Sequence, residues 1–240
     1  MGIYLILRKK QKIHGTLVVI ISLAMTGSFW PAFFKHREVS QIRQTAETGD
    51  AAAQIRLGEM YLYGRGIDRD YAAAMQWFQK AADQGDATAQ NDIGWLYRQG
   101  LGVAQDYGEA MRWYRKSADH GDEAAQNNIG NLYWDGSGVA QDYGEAMRWY
   151  RKAADQGNAW AQVNLGSCYQ NGQGVAQDYG EAMRWYRLAA DQGNARAQYH
   201  IGTMYANGWG VPGDPGEARN WMQKAAAKGE QDAKKWLAAQ

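Results

Sequence analysis

A glycine returns every 36 residues, at Gly58, Gly94, Gly130, Gly166 and Gly202, and each carries the same surroundings. One unit reads Ala125, Ile129, Gly130, Tyr133, Gly136, Gly138, Tyr143, Ala146, Trp149, Tyr150, Ala153, Ala154 and Gly157. The unit from Ala53 to Gly85 repeats the pattern with Leu57, Tyr61, Tyr71, Trp77 and Phe78. A period of this length marks an array of stacked units, because no single unit can bury its own apolar face. This regularity fixes the architecture and leaves the partner open.

Each unit reads as two helices. Tyr71, Ala74, Met75, Phe78, Ala81 and Ala82 recur at helical spacing and form one stripe. Ala53, Leu57 and Tyr61, four apart, form another. Glycine inside the first helix costs about 1 kcal/mol against alanine, so its return in every unit predicts a close approach by a neighbouring helix. Asp106, Asp142 and Asp178 precede second helices with glutamate three residues on, like a capping box. Asp214 is followed by Pro215, which suits the first helical position. Gly85, Gly121, Gly157, Gly193 and Gly229 are expected to close second helices in the left-handed region. Asp86, Asp122, Asn158 and Asn194 then cap the next first helices.

Charge and motifs restrict the function classes. Of 26 Lys/Arg and 25 Asp/Glu, six basic residues and one acidic residue fall within 1–40, which leaves residues 41–240 at net −4. A mildly acidic array lacks the footprint needed to bind nucleic acid. His14, His36, His120 and His200 have no metal-ligand spacing, and His120 fills a slot that is glutamine at Gln84, Gln156 and Gln192. The recurring Gly-x-Gly, as at Gly100 and Gly102, lacks the lysine and hydroxyl residue of a phosphate loop and reads as an interhelical turn. No active site, cofactor or metal site is expected, and the chain is read as non-catalytic.

The N-terminus is different in kind. Arg8, Lys9, Lys10 and Lys12 precede an uncharged run that reaches Phe34. The reading adopted is a membrane anchor over 13–34, after a short basic cytoplasmic segment over 1–12. Phe29, Trp30, Phe33 and Phe34 would then sit at the interface. A cleaved signal peptide is the rival, with poor cleavage sites near Ala24 to Ser28, and a peripheral helix is the third reading. Basic residues before the run place the repeats in the periplasm or exterior. No cysteine follows the run, which argues against a lipoprotein.

The run Ala161-Gln162, Leu165-Gly166, Tyr169, Gly172, Gly174-Val175, Asp178-Tyr179, Ala182, Trp185-Tyr186, Ala189-Ala190 and Gly193 closely resembles the Sel-1-like repeat family, a relative of the tetratricopeptide repeat. The resemblance covers about residues 50–229. It implies an all-α superhelical solenoid of five helix pairs, at 50–85, 86–121, 122–157, 158–193 and 194–229. Residues 35–49 and 230–240 read as helical caps. Family members usually bind or scaffold other proteins, some of them in bacterial envelopes. A cysteine-rich branch has been called β-lactamase-like, but with Cys168 alone and no Ser-x-x-Lys its disulfides and activity do not carry over.

Gly102–Lys116 and Gly138–Lys152 are identical, exposed Arg112 and Arg148 included, which duplication explains. The first helices of the same units have diverged, which points to recognition there. By resemblance to tetratricopeptide arrays, first helices line the concave face. That places Asn91, Trp95, Arg98 and Gln99 in the groove, followed by Asn127, Asn131, Trp134 and Asp135. The later units add Trp160, Gln170 and Asn171, then Arg196, Tyr199 and Asn207. Asparagine amides suit an extended peptide backbone and tryptophans suit anchoring, so the expected ligand is a protein or peptide segment. A cell-wall glycan stacked on Trp95, Trp134 and Trp160 is the alternative.

Overall fold

The computed structural model describes residues 29–239, with side chains from Glu38 onward. The described residues form twelve helices and no strands. The basic segment at 1–12 and most of the expected anchor lie outside them. Residues 29–34 begin the first helix, α1 (Phe29–Glu47). Among the described residues no helix is long and apolar enough to cross a membrane. The helix assigned to 35–49 therefore starts earlier than its sequence pattern indicates, and it ends two residues sooner.

The chain divides into two compact units, with the boundary inside α3 (Tyr71–Ala82) after Trp77. In the first unit α1 packs on α2 (Ala51–Tyr63), bringing Val39, Ile42 and Ala46 against Ala53, Leu57 and Met60. Asp50 caps α2 by accepting from the Ala53 N–H at 2.7 Å.

The second unit, Phe78–Gln240, holds four helix pairs and a final helix. The first helices are α4 (Ala87–Gln99), α6 (Glu123–Asp135), α8 (Ala159–Asn171) and α10 (Ala195–Asn207). Their partners are α5 (Tyr107–Asp119), α7 (Tyr143–Asp155), α9 (Tyr179–Asp191) and α11 (Pro215–Ala227), and α12 (Gln231–Ala238) follows. Each helix packs on its neighbours in the chain, so the unit is a solenoid. Its core alternates large and small: Tyr114, Tyr186, Ile93, Ile129, Leu165 and Met204 are fully buried, among alanines such as Ala110, Ala146 and Ala182. Each large side chain contributes about 1.5–3 kcal/mol by leaving water.

The caps follow the sequence. Asp86, Asp122, Asn158 and Asn194 each accept an N–H inside the first helices. Asp106, Asp142, Asp178 and Asp214 do so for the second helices. The expected capping box is altered, however. Glu109, Glu145 and Glu181 turn their carboxylates to Arg112, Arg148 and Arg184 on their own helices.

Two kinds of glycine hold the stack together. A Cβ on Gly130 or Gly166 would meet the Tyr150 or Tyr186 ring at 2.6 Å. The close approach predicted for the repeat glycine is thus mainly by an aromatic ring. A Cβ on Gly138, which has φ 72°, would come 2.5 Å from the Tyr107 Cβ of the preceding pair. The Gly-x-Gly turn therefore serves inter-repeat packing.

Buried glutamines tie the two helices within a pair. Gln156 donates to Gln126 and Gln192 to Gln162, each at 2.9 Å. His120 occupies the corresponding slot for Gln90, whose buried Oε1 has no partner. The histidine therefore interrupts a hydrogen-bond series as well as changing the surface.

Candidate partner-binding cleft

With their apolar stripes turned to the core, α4, α6 and α8 present polar residues in register, one repeat apart. These side chains meet across repeats. Asn128 donates to Asn91 Oδ1 at 3.0 Å, and Asn164 donates to Asn127 Oδ1 at 2.9 Å and to Asn131 Oδ1 at 3.3 Å. Tyr150 donates its hydroxyl to Asn131 Oδ1 at 2.9 Å. In the next pair, Tyr186 donates to Gln170 at 2.8 Å and lies 3.1 Å from the Ser167 hydroxyl. Most of the amide oxygens are thereby engaged within the protein.

Between α6, α8 and α10 this face opens into a polar cleft of about 390 Å³. Asn131 and Trp134 form one wall and Asn164, Ser167 and Asn171 the middle. Arg196 and His200 form the far wall, and Tyr150 reaches in from α7. Trp134 is held edge-on by Tyr143, with ring centroids 4.8 Å apart, and leans on Tyr150 at 6.3 Å. His200 stacks on Tyr186 at 4.6 Å with the rings 5° from parallel. Burial, and secondarily the Arg196 charge, push its pKa down to about 4, so the imidazole is neutral at pH 7. Burial also raises Tyr150 and Tyr186, which remain protonated donors. Arg196 is exposed and makes no hydrogen bond or ion pair with the described residues.

The residues expected to line a groove divide into groups. Asn131, Trp134, Asn171 and Arg196 line the cleft. Asn91 and Asn127 brace one repeat against the next instead, and Asn127 is buried, which takes its amide oxygen away from any peptide backbone. Trp95 is half-buried against the cluster around Tyr114 and Ile129. It occupies the position held by Asn131 and Ser167 in later repeats, and the buried Tyr114 hydroxyl is left without a partner. Arg98 pairs with Asp135 at 3.4 Å, and Gln99 is exposed. Gln170 is engaged by Tyr186. Tyr199 meets His200 edge-on at 5.6 Å and packs against the cluster of Met222 and Ala233. Trp160 is 58% exposed at the start of α8. Asn207 donates back to Thr203 O at 2.8 Å on its own helix.

Tyr150, Asn164, Ser167 and His200 were not expected in the site. Asn128, Asn164 and His200 form a register row one residue past Asn91 and Asn127, and the row's polar character was visible in the sequence. Cys168 is buried on the core side of α8, its thiol pushed up to about 12 by burial, which makes it unreactive. No group of His, Cys, Asp and Glu among the described residues could hold a metal ion.

The Sel1 repeat pattern matches residues 51–86, 87–122, 123–158, 161–194 and 195–230. These frames begin one residue after those read from the sequence, and three residues after in the fourth. The crystal structure of a Sel1 repeat protein from Oxalobacter formigenes superposes with a TM-score of 0.75 at 34% identity, over 84% of this chain and 89% of that one. A protective antigen with an SLR fold from uropathogenic Escherichia coli strains gives 0.72 at 40% identity, over 81% of this chain. This chain spans only 42% of that antigen's length. The secretory immunoglobulin A-binding protein EsiB of Escherichia coli O6:H1 is 42% identical over 43 residues, which cover 18% of this chain and 9% of EsiB. Sel1-repeat proteins are generally non-catalytic protein–protein interaction scaffolds. This chain belongs to the Sel1-repeat family.

Proposed function

We propose that this Sel1-repeat chain is a non-catalytic adaptor that takes an extended protein or peptide segment along α6, α8 and α10. The observation that carries the reading is the polar cleft walled by Trp134 and Arg196. It offers an aromatic wall and amide groups on side chains such as Trp134, Asn131 and Asn164 that are braced by their neighbours, together with an unpaired cation. Bracing lowers the ordering cost of binding, and an indole beside hydrogen-bonding groups is the usual composition of an anchor site. The location we propose is the envelope side of a bacterial-type membrane, with the basic and apolar sequence of residues 1–34 as tether or signal. That part rests on sequence alone.

A glycan reading keeps one specific observation in its favour, the exposed indole of Trp160. Trp134, clasped by Tyr143 and Tyr150, is less suited to stacking on a sugar face. The experiment is crosslinked capture from native membranes with the full chain, wild type beside the Trp134→Ala/Asn171→Ala double variant. Loss of a protein adduct with the variant, at unchanged helicity by circular dichroism, is the expected result. Loss of cell-wall fragments alone transfers the function to glycan binding. Equal capture by both chains overturns the cleft assignment.

A further inference from the structure

We infer that the cleft selects an acidic side chain, aspartate or glutamate, carried within the extended segment it binds. The inference rests on the adaptor reading above and specifies the ligand's chemistry. Arg196 is the one ionised residue in the cleft lining, and no carboxylate lines it. The guanidinium has no hydrogen bond or ion pair among the described residues, whereas Arg98, Arg112, Arg148 and Arg184 each have a carboxylate. Its charge reaches the interior of the cleft, since it disfavours protonation of His200. His200, kept neutral chiefly by burial, does not compete for the anion as a second cation.

The hydrogen-bond inventory has the same sign. Asn131 Oδ1 already accepts from Tyr150 and from Asn164, so its amide NH2 is the group left for a ligand. A carboxylate accepts from the guanidinium on one wall while the rest of the segment meets the amide on the other, and charge-assisted bonds of this kind are roughly twice as strong as neutral ones. The equivalents of Arg196 in earlier repeats are Thr88, Ala124 and Trp160, so the cation belongs to this one cleft. A segment that continues along α6 and α8 meets amide groups on the way, which favours a side chain within the segment over a chain terminus.

The test uses the full chain and three pools of fluorescein-labelled dodecapeptides, read by anisotropy. One capped pool has a fixed central glutamate and one a fixed central glutamine, while the third is all-neutral with a free C-terminal carboxylate. The glutamate pool is expected to bind about two- to fivefold more tightly than the glutamine pool, the value of one exposed ion pair. In Arg196→Gln that gap closes with the glutamine pool unchanged, and Arg196→Lys restores part of it. Equal binding of both capped pools, with both lost in Trp134→Ala, overturns the carboxylate preference and keeps the cleft as a peptide site. Preference for the uncapped pool overturns it in favour of a chain terminus. Binding of no pool overturns the preference and the peptide reading together.

Discussion

The two faces of the α4–α9 region use the same polar vocabulary in opposite ways. On α5, α7 and α9 the exposed Arg112, Arg148 and Arg184 each pair with a glutamate three residues earlier on their own helix. Lys116 and Lys152 likewise lie over Trp113 and Trp149 of their own helices, each 4.1 Å from the ring centroid. Each of these contacts is complete within one repeat, so a copied repeat brings it along unchanged. On α4, α6 and α8 a set of polar contacts runs between repeats: Asn128 to Asn91, Asn164 to Asn127 and Asn131, Arg98 to Asp135. A side chain there answers to a neighbour 33 to 37 residues away, so divergence is coupled from repeat to repeat. These self-contained contacts make a repeated surface, beside which Arg115, Arg151 and Arg187 reach Tyr133, Tyr169 and Tyr205 of the next repeat. The coupled face is where one repeat acquires a character of its own, as at Arg196 and His200.

The largest expected effect comes from pH. In an unfolded chain histidine titrates near 6.5, whereas in the fold His200 is pushed down to about 4. Between those values the unfolded chain takes up a proton that the fold refuses. Stability is therefore complete above pH 6.5 and falls as pH drops toward 4, with about 2 kcal/mol lost by pH 5. Urea unfolding at pH 7 and pH 5 checks this against His200→Asn, which places there the residue found at Asn128 and Asn164. The variant should lose this share of the pH dependence, and an identical slope in both chains refutes it.

Next is the joint shared by the two faces. Gly166→Ala drives a methyl group into the Tyr186 ring, which is pinned by Gln170 and Ser167. Overpacking costs about 1–3 kcal/mol, and helix propensity returns about 1 kcal/mol. Gly202→Ala meets the flexible Met222 at 3.1 Å and the Ala218 carbonyl oxygen at 3.2 Å, a less severe overlap that should cost less. Thermal unfolding of the two variants compares them directly, and equal shifts would deny the tyrosine joint its role.

Asn164→Ala should cost about 1 kcal/mol, the net worth of a partly buried hydrogen bond. A double-mutant cycle with Asn127→Ala should show coupling of about 0.5 kcal/mol or more. Additive losses would mean that the coupled face is not coupled. Smallest is Arg148→Ala. Its pair with Glu145 is exposed, so a change under about 0.5 kcal/mol that shrinks with added salt is expected.

The fold was legible because its determinants are local. Asx caps, left-handed glycines and 36-residue spacing each leave a mark in one residue or one interval, and the structure places them where the sequence indicates. The cleft was legible only in part. Trp134, Asn171 and Arg196 could be placed on the right helices by register, but register does not reveal whether an amide is already occupied. Asn127 and Asn91 pair with residues of the next repeat, and that choice depends on helix rotation by one position. The same one-residue difference hid Asn164 and His200. The capping-box glutamates were misread for a related reason, since an arginine three residues on competes for the same carboxylate.

The most direct test of the account places a photo-crosslinking residue at Asn171, in the cleft, or at Arg148, on the self-contained face. The full chain is then irradiated in native membranes. A discrete protein adduct from position 171, absent from position 148, is the predicted result. Adducts from 148 alone, or the same adducts from both positions, would contradict the assignment of recognition to the first-helix face.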